Sequence, residues 1–178
     1  MIYFILIYKM NRIILNENYK QAHIKDDNYM TPKHAWEDIR EFIPTDKIIW
    51  EPFYGDGQSG EDLREMGYDV IHEPIDFFQE DRGDVIVTNP PFSLAKQIMP
   101  RLLELDKPFI LLMPSSKINY QYMRILKNKL QIIIPRKRIH FIKLNEAGEP
   151  VQTKGCHFDC FYYCYKIGLP NDIVWLDN

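Results

Sequence analysis

A chain of 178 residues suffices for one domain with a sizeable core, and 46% apolar with 13% aromatic content excludes an intrinsically disordered chain. A net charge of -3 excludes attraction of nucleic acid by bulk charge alone. The distribution says more. From Lys107 to Lys143 there is no Asp or Glu, while Lys107, Lys117, Arg124, Lys127, Lys129, Arg136, Lys137, Arg138 and Lys143 are all basic. A solvated face is the plain explanation of such a run; a run this long of one sign also points to an anionic partner, nucleic acid foremost.

In chain order, "MIYFILIY" is apolar but too short to span a bilayer, and it lacks the basic and small-residue flanks of a signal peptide. No membrane partner is expected. Residues 1–28 are expected to be peripheral, as an edge strand or an extension upstream of Met10, and residues 29–178 to form a single domain. "TPKHAWEDIREFI" has helical spacing at Ala35, Trp36, Ile39, Phe42 and Ile43, with Thr31 as N-cap and Pro32 at the first helical position. "KIIW" is a short strand, "SGEDLREM" a helix closed by Gly67, "DVIH" and "DVIVTN" two further strands. "SLAKQIMPRLLEL" is a helix with Pro100 inside, and "PFILLMP" a fourth strand. Ile118, Tyr122, Ile125 and Leu126 mark an amphipathic helix. "QIIIP", "IHFIKL" and "HFDCFYYCY" end the series as strands, the last two joined by the turn "NEAGEP" into an antiparallel edge hairpin. Strands alternating with helices predict an α/β fold with a mainly parallel sheet.

Cys156, Cys160 and Cys164 are odd in number and clustered, which suits a reducing compartment better than a disulfide framework. His157 among them raises zinc. On a strand, however, positions four apart are separated by about 13 Å and do not converge on one ion. No metal is expected.

"EPFYGDGQSG" lies between a strand and a helix, and Gly55, Gly57 and Gly60 fit G-x-G-x-x-G. Glycines allow a tight turn and close approach of backbone to a ligand, and the helix start offers free N–H groups. Glu73 follows near the distance at which an acid holds a ribose hydroxyl. The pattern alone is weak and also fits a bare turn or a nicotinamide-binding enzyme. Glu51, before the glycines, would repel a pyrophosphate and favour the ammonium of an amino-acid-like ligand.

"VIVTNPPF" then ends a buried strand in a rigid turn. Proline supplies no N–H and fixes φ, leaving carbonyl oxygens outward. The Asn89 side chain and the Pro90 carbonyl together offer two acceptors, which suit the two donors of a planar NH2 group. Phe92 can stack on the heterocycle that bears it.

With these motifs in this order, the chain resembles the S-adenosylmethionine-dependent amino-methyltransferases that methylate adenine N6. Asn89-Pro90-Pro91-Phe92 matches the catalytic (D/N/S)-P-P-(Y/F) motif. Glu51 to Gly57 is similar to the D-P-F-x-G-x-G cofactor loop, with Glu for Asp. "YMTP", Tyr29 to Pro32, resembles the motif at the methionine end of the cofactor. The resemblance spans most of residues 29–166, is strongest to small phage and large-DNA-virus members, and implies the Rossmann-like class I methyltransferase fold. It implies S-adenosylmethionine as cofactor, held by Tyr29, Thr31, Pro32, Glu51, Phe53, Gly55, Gly57, Glu73, Asp76 and Phe77. It implies Asn89, Pro90, Pro91 and Phe92 as the catalytic turn, and nucleic acid, DNA before RNA, as substrate. From the basic run, Lys117, Arg124, Lys127, Arg136, Lys137 and Arg138 are the candidate phosphate contacts.

The chain departs from the family pattern in compressing two acidic positions into "EPIDFF" and in leaving little room for a recognition insert. A second copy or a recognition partner is the expected remedy, and the cytoplasm, or a host nucleus for a viral protein, the expected location. Methylation of a protein glutamine amide and an inactive binding module with the same fold stay open as alternatives.

Overall fold

The computed structural model describes residues 29–145, 150–151 and 157–177. The N-terminal segment expected to be peripheral, most of the "NEAGEP" turn and Cys156 lie outside the described residues.

The chain opens with β1 (Tyr29–Met30) and a short helix α1 (Lys33–Glu37). Next come β2 (Ile49–Trp50), α2 (Gln58–Glu65), β3 (Val70–Ile71) and β4 (Val85–Thr88). Helix α3 (Ala95–Leu105) leads to β5 (Phe109–Pro114) and β6 (Leu130–Ile134). The last strands are β7 (Ile142–Leu144), β8 (Pro150–Val151), β9 (Cys160–Tyr165) and β10 (Ile173–Trp175).

Seven strands form one sheet in the order β3-β2-β4-β5-β9-β6-β10. Pairing is parallel throughout except at β9, which runs antiparallel to both β5 and β6. This is the expected Rossmann-like α/β architecture. Its strands alternate between two cores, as the two-residue period requires. Val85, Val87, Ile110 and Leu112 face one core with Trp36, Ile39 and Leu63; Ile86, Phe109, Leu111 and Met113 face the other with Ile98, Met99 and Leu102 of α3. Strands covered on both faces are apolar throughout, which is why "VIVT" and "FILLMP" are buried at every position. After β2 the chain moves outward to β3, then returns to place β4 on the other side of β2. That reversal opens a crevice at the carboxyl ends of β2 and β4.

Several elements differ from the sequence expectation. The aromatic β9 is buried on both faces and so takes an inner place between β5 and β6, not an edge. Its expected hairpin partner, β7, pairs with β8 and with β1 in a separate three-stranded sheet. β1 and β10 are too short to show a period, and neither was expected. The amphipathic stretch around Ile118–Leu126 forms two 3-10 turns, Ser115–Asn119 and Gln121–Leu126, separated by extended backbone at Tyr120. Thr31 is not a cap: Pro32 takes that position, α1 starts at Lys33, and Thr31 turns inward.

Two glycines secure the crevice floor. Gly57 adopts φ +89 at the start of α2, a left-handed conformation that side chains strain. Gly60 lets α2 lie directly on β3, since a Cβ there would come within 2.3 Å of His72 Cδ2 and 2.6 Å of His72 Cβ. The His72 stem cannot rotate out of the way. Gly60→Ala should therefore destabilise by about 1–3 kcal/mol through overpacking, read as a lower urea midpoint. In a His72→Ala background the same change should cost much less; equal costs in both backgrounds would place the strain elsewhere.

Candidate active site

A cavity of about 220 Å3 occupies the crevice. Its walls come from three sequence-distant stretches: Tyr29 to Thr31, Glu51 to Asp56 with Ser59, and Pro74 to Phe78, closed by Asn89 to Phe92. The glycine loop and the N-P-P-F turn thus meet because β2 and β4 are adjacent parallel strands with one edge in common.

Glu51 sits at the junction and is 1% exposed. Its Oε1 accepts from the Phe53 N–H at 3.1 Å and from the Thr88 hydroxyl, and its Oε2 accepts from the Ser59 hydroxyl at 3.0 Å. Trp36 Nε1 in turn donates to Ser59 Oγ at 3.1 Å. The Asn89 backbone N–H adds to this set. Burial pushes the Glu51 carboxyl up to about 8, against the opposing pull of these donors. The Glu51 carbonyl meets His72 Nδ1 at 2.8 Å, and the Tyr54 ring stacks on His72 at 4.8 Å. Burial lowers the His72 pKa.

Asn89 is oriented by a backbone contact 60 residues earlier in the chain. Its Nδ2 donates to the Tyr29 carbonyl at 3.0 Å, which fixes the amide in the cavity wall. Asn89 Oδ1 is buried and meets no donor. A buried acceptor without a partner is costly, and its persistence in a cavity wall points to a ligand donor. Asn89 lies beside an aromatic wall. Phe92 meets Phe158 edge-on at 5.7 Å and Phe141 at 6.4 Å, and Tyr29 meets Phe158 at 5.6 Å and Phe141 at 6.1 Å. Phe141 and Phe158 were not singled out from sequence. Nothing in their local context marks them, since only β1–β7 pairing and the entry to β9 bring them to Phe92.

The structure gathers Tyr29, Thr31, Glu51, Phe53, Gly55, Asp76, Phe77 and the whole Asn89–Phe92 turn around the cavity. Phe77 forms its base, packed on Trp50 and Phe53 at 5.6 and 5.1 Å. Asp76 Oδ1 accepts from the Phe78 N–H at 2.9 Å, which fixes the loop. Pro32, Gly57 and Glu73 do not line the cavity. Gly57 acts through the turn itself, and Glu73 is exposed.

The basic run is not one surface. Lys117 Nζ donates to the Phe92 carbonyl at 3.2 Å and lies over the Tyr120 ring, so it braces the N-P-P-F turn instead of facing outward for phosphate. Lys127 precedes β6 and lies at the amino edge of the sheet, opposite the crevice, with Arg124 one turn before it. Arg136, Lys137 and Arg138 follow β6 on the carboxyl edge, the crevice side, and are exposed. Among the described residues no group of His, Cys, Asp and Glu could hold a metal, and no helix is long and apolar enough to cross a membrane.

A mainly parallel α/β sheet with a ligand cavity at its switch point, an acid-glycine loop on one side and an N-P-P-F turn on the other, defines a methyltransferase-type protein. The chain belongs to the adenine-specific methyltransferase EcoRI family, whose model matches residues 8–142. It is 33% identical over 137 residues to the type II methyltransferase M.EcoRI of Escherichia coli, an alignment that spans 75% of this chain and 37% of that protein. Among solved structures, it is similar to a class I S-adenosylmethionine-dependent methyltransferase from Listeria monocytogenes, with TM-score 0.47 and 11% identity over 95% of this chain and 71% of that one. It is also similar to a dimethyladenosine transferase from Plasmodium falciparum, with TM-score 0.45 and 12% identity over 77% of this chain and 62% of that one.

The state of Glu51 is open to measurement. Its folded value of about 8 lies above the unfolded 4.5, so the protonated carboxyl favours the folded state. That contribution is complete below about pH 4.5 and is lost as pH rises through about 8. His72 works in the opposite sense below its ordinary 6.5, so the difference between wild type and Glu51→Gln isolates the carboxyl. Urea midpoints of the ligand-free protein should fall more steeply from pH 5 to 8 in wild type than in the variant. Parallel curves would mean that Glu51 is ionised in the fold.

Proposed function

We propose that the chain transfers a methyl group from S-adenosylmethionine to the N6 amino group of adenine in DNA. The observation that best supports this reading is Asn89: a buried amide oxygen, oriented by Tyr29 and left without a donor, in the wall of the cavity. The residues present suit the cofactor. A cavity with the Glu51 carboxyl in one wall suits an amino-acid ammonium, and Tyr29, Phe53 and Phe92 offer ring faces to a sulfonium. Asp76 and Phe77 in this reading take the cofactor's adenine.

S-adenosylmethionine supplies the methyl group as an electrophile. The chain's own residues do the rest by positioning and electrostatics. The flipped adenine stacks on Phe92. Asn89 Oδ1 and the Pro90 carbonyl accept its two N6–H bonds, which favours a pyramidal nitrogen with its lone pair toward the methyl. Lys117, bonded to the Phe92 carbonyl, keeps the turn in place. Arg136 and Lys137 bind backbone phosphate on the same edge of the sheet. In this reading a second copy or a recognition partner completes recognition of a particular site.

The test is incubation with labelled S-adenosylmethionine and DNA, RNA or protein, followed by nucleoside and amino-acid analysis. N6-methyladenine in DNA is the expected product; label in protein glutamine, or in no polymer despite cofactor binding, would reject the proposal. Asn89→Ala should lower turnover by ~100-fold or more, the scale of losing a preorganised polar group. Its affinity for the cofactor, measured by calorimetry, should hardly change. Phe92→Ala should weaken productive DNA binding by ~1–3 kcal/mol, while Phe92→Tyr retains it. A fully active Asn89→Ala would overturn the acceptor mechanism on its own.

A further inference from the structure

Folding leaves one indole outside. Trp36 and Trp50 are fully buried, whereas Trp175, on the outermost strand β10, is 66% exposed. Ile173, two residues earlier on the same face, is 52% exposed, and Val174 between them packs on the core. In the parallel pairing Trp175 stands opposite Ile134, the last residue of β6, directly before the basic turn. The indole and Arg136, Lys137 and Arg138 line one shallow groove.

This groove lies on the same edge of the sheet as the candidate active site. Arg138 and Asp159 form a two-pronged pair, Nε to Oδ1 at 2.7 Å and Nη2 to Oδ2 at 3.2 Å. Residue 158, the next one in the chain, is the phenylalanine of the aromatic wall beside Asn89. Both sites open on the carboxyl edge of the sheet. From β4 to β10 is four strand spacings in the sheet order, or about 19 Å. A strand of DNA covers that distance in about five or six stacked nucleotides.

We propose that Trp175, Arg136 and Lys137 form a second nucleotide subsite, in which the indole stacks on an unpaired base of the DNA flanking the target adenine. The two cations take the adjoining phosphates. The inference rests on the DNA reading above. Charge complementarity selects the occupant: the turn that borders the indole carries three consecutive basic residues, and the one acid on the groove, Asp159, is held by Arg138. An indole face accepts any base, so this subsite adds affinity and register without adding sequence choice.

The experiment titrates the full chain with a 12-nucleotide single strand and follows tryptophan emission. Because Trp36 and Trp50 are buried, quenching reports stacking at Trp175. Wild type should be quenched. Trp175→Ala, whose exposed position leaves the fold and melting temperature unchanged, should bind about 5- to 150-fold more weakly and show no quench. Trp175→Phe should recover much of the affinity. Arg136→Gln with Lys137→Gln should flatten the salt dependence by about 1.4 in the log–log slope, the value for two single-strand phosphates. Unchanged affinity in Trp175→Ala, with no quench in wild type, overturns the subsite. Loss of self-association or of protein binding in Trp175→Ala, with DNA affinity intact, also overturns it and assigns the face to a protein contact. Methylation assays on the same samples separate the two failures: a wild type that still methylates DNA keeps the main reading, and one that neither binds nor methylates DNA loses both.

Discussion

A single buried carboxyl holds the two functional loops in register. Glu51 is removed from water at the point where β2 ends, and its oxygens are shared among the glycine loop at Phe53, helix α2 at Ser59 and strand β4 at Thr88. These are the elements that must stay fixed if a ligand bound by one loop is to meet a group on the other. A carboxyl in such a place costs free energy unless its oxygens are occupied. Moving any of these donors weakens the set that satisfies the buried carboxyl, and losing Ser59 removes the side-chain donor to Oε2, so the loops are coupled through that penalty. The next layer out has the same character. Trp36 braces Ser59, and His72 engages the Glu51 carbonyl while Tyr54 stacks on its ring.

Topology places this junction. Only at the reversal between β2 and β4 do two adjacent parallel strands send their following loops apart, so a cavity opens there without disturbing the core. β1 then closes the cavity from the side. It belongs to the separate three-stranded sheet, and its pairing with β7 carries Tyr29 to Asn89 and Phe141 to Phe92. Edge-on aromatic pairs are worth about 0.5–1.5 kcal/mol each beyond burial. The four-ring wall of Tyr29, Phe92, Phe141 and Phe158 is thus a stable, apolar surface beside an unsatisfied amide oxygen.

How far the sequence foretold this depends on the range of the interactions. The glycine turn and the N-P-P-F turn are local: each follows an apolar strand directly, and backbone chemistry dictates each shape. They could be read in a row of letters, as could the parallel α/β order. Phe141, Phe158 and Trp175 could not, because each owes its position to a partner strand far away in sequence. Thr31 misled for a related reason. As a cap it satisfied a local rule, but Pro32 supplies the extended entry to α1, and the threonine is drawn inward with β1. The acid-free run misled in a third way. Sequence proximity joined Lys127 to Arg136, and β6 carries them to opposite edges of the sheet. Lys117 reads locally as a surface charge, because nothing in its neighbourhood shows that Phe92 offers it a carbonyl.

Electrostatics connects the buried carboxyl to the chemistry we propose. With a value pushed up to about 8, Glu51 is mostly protonated near neutrality in the ligand-free cavity. Ionising it near neutrality therefore costs free energy. A cationic ligand in the cavity offsets that cost by Coulomb attraction at short range in a poorly solvated site, whereas a neutral or anionic one does not. The same carboxyl therefore serves two purposes. Neutral, it lets the empty pocket remain folded around few charges. Charged, in the proposed reading, it would favour a ligand bearing an ammonium over a neutral or anionic one. Selectivity of this kind needs no extra residue on the substrate side, which leaves the Asn89–Phe92 turn and its aromatic wall free to be shaped by the base alone.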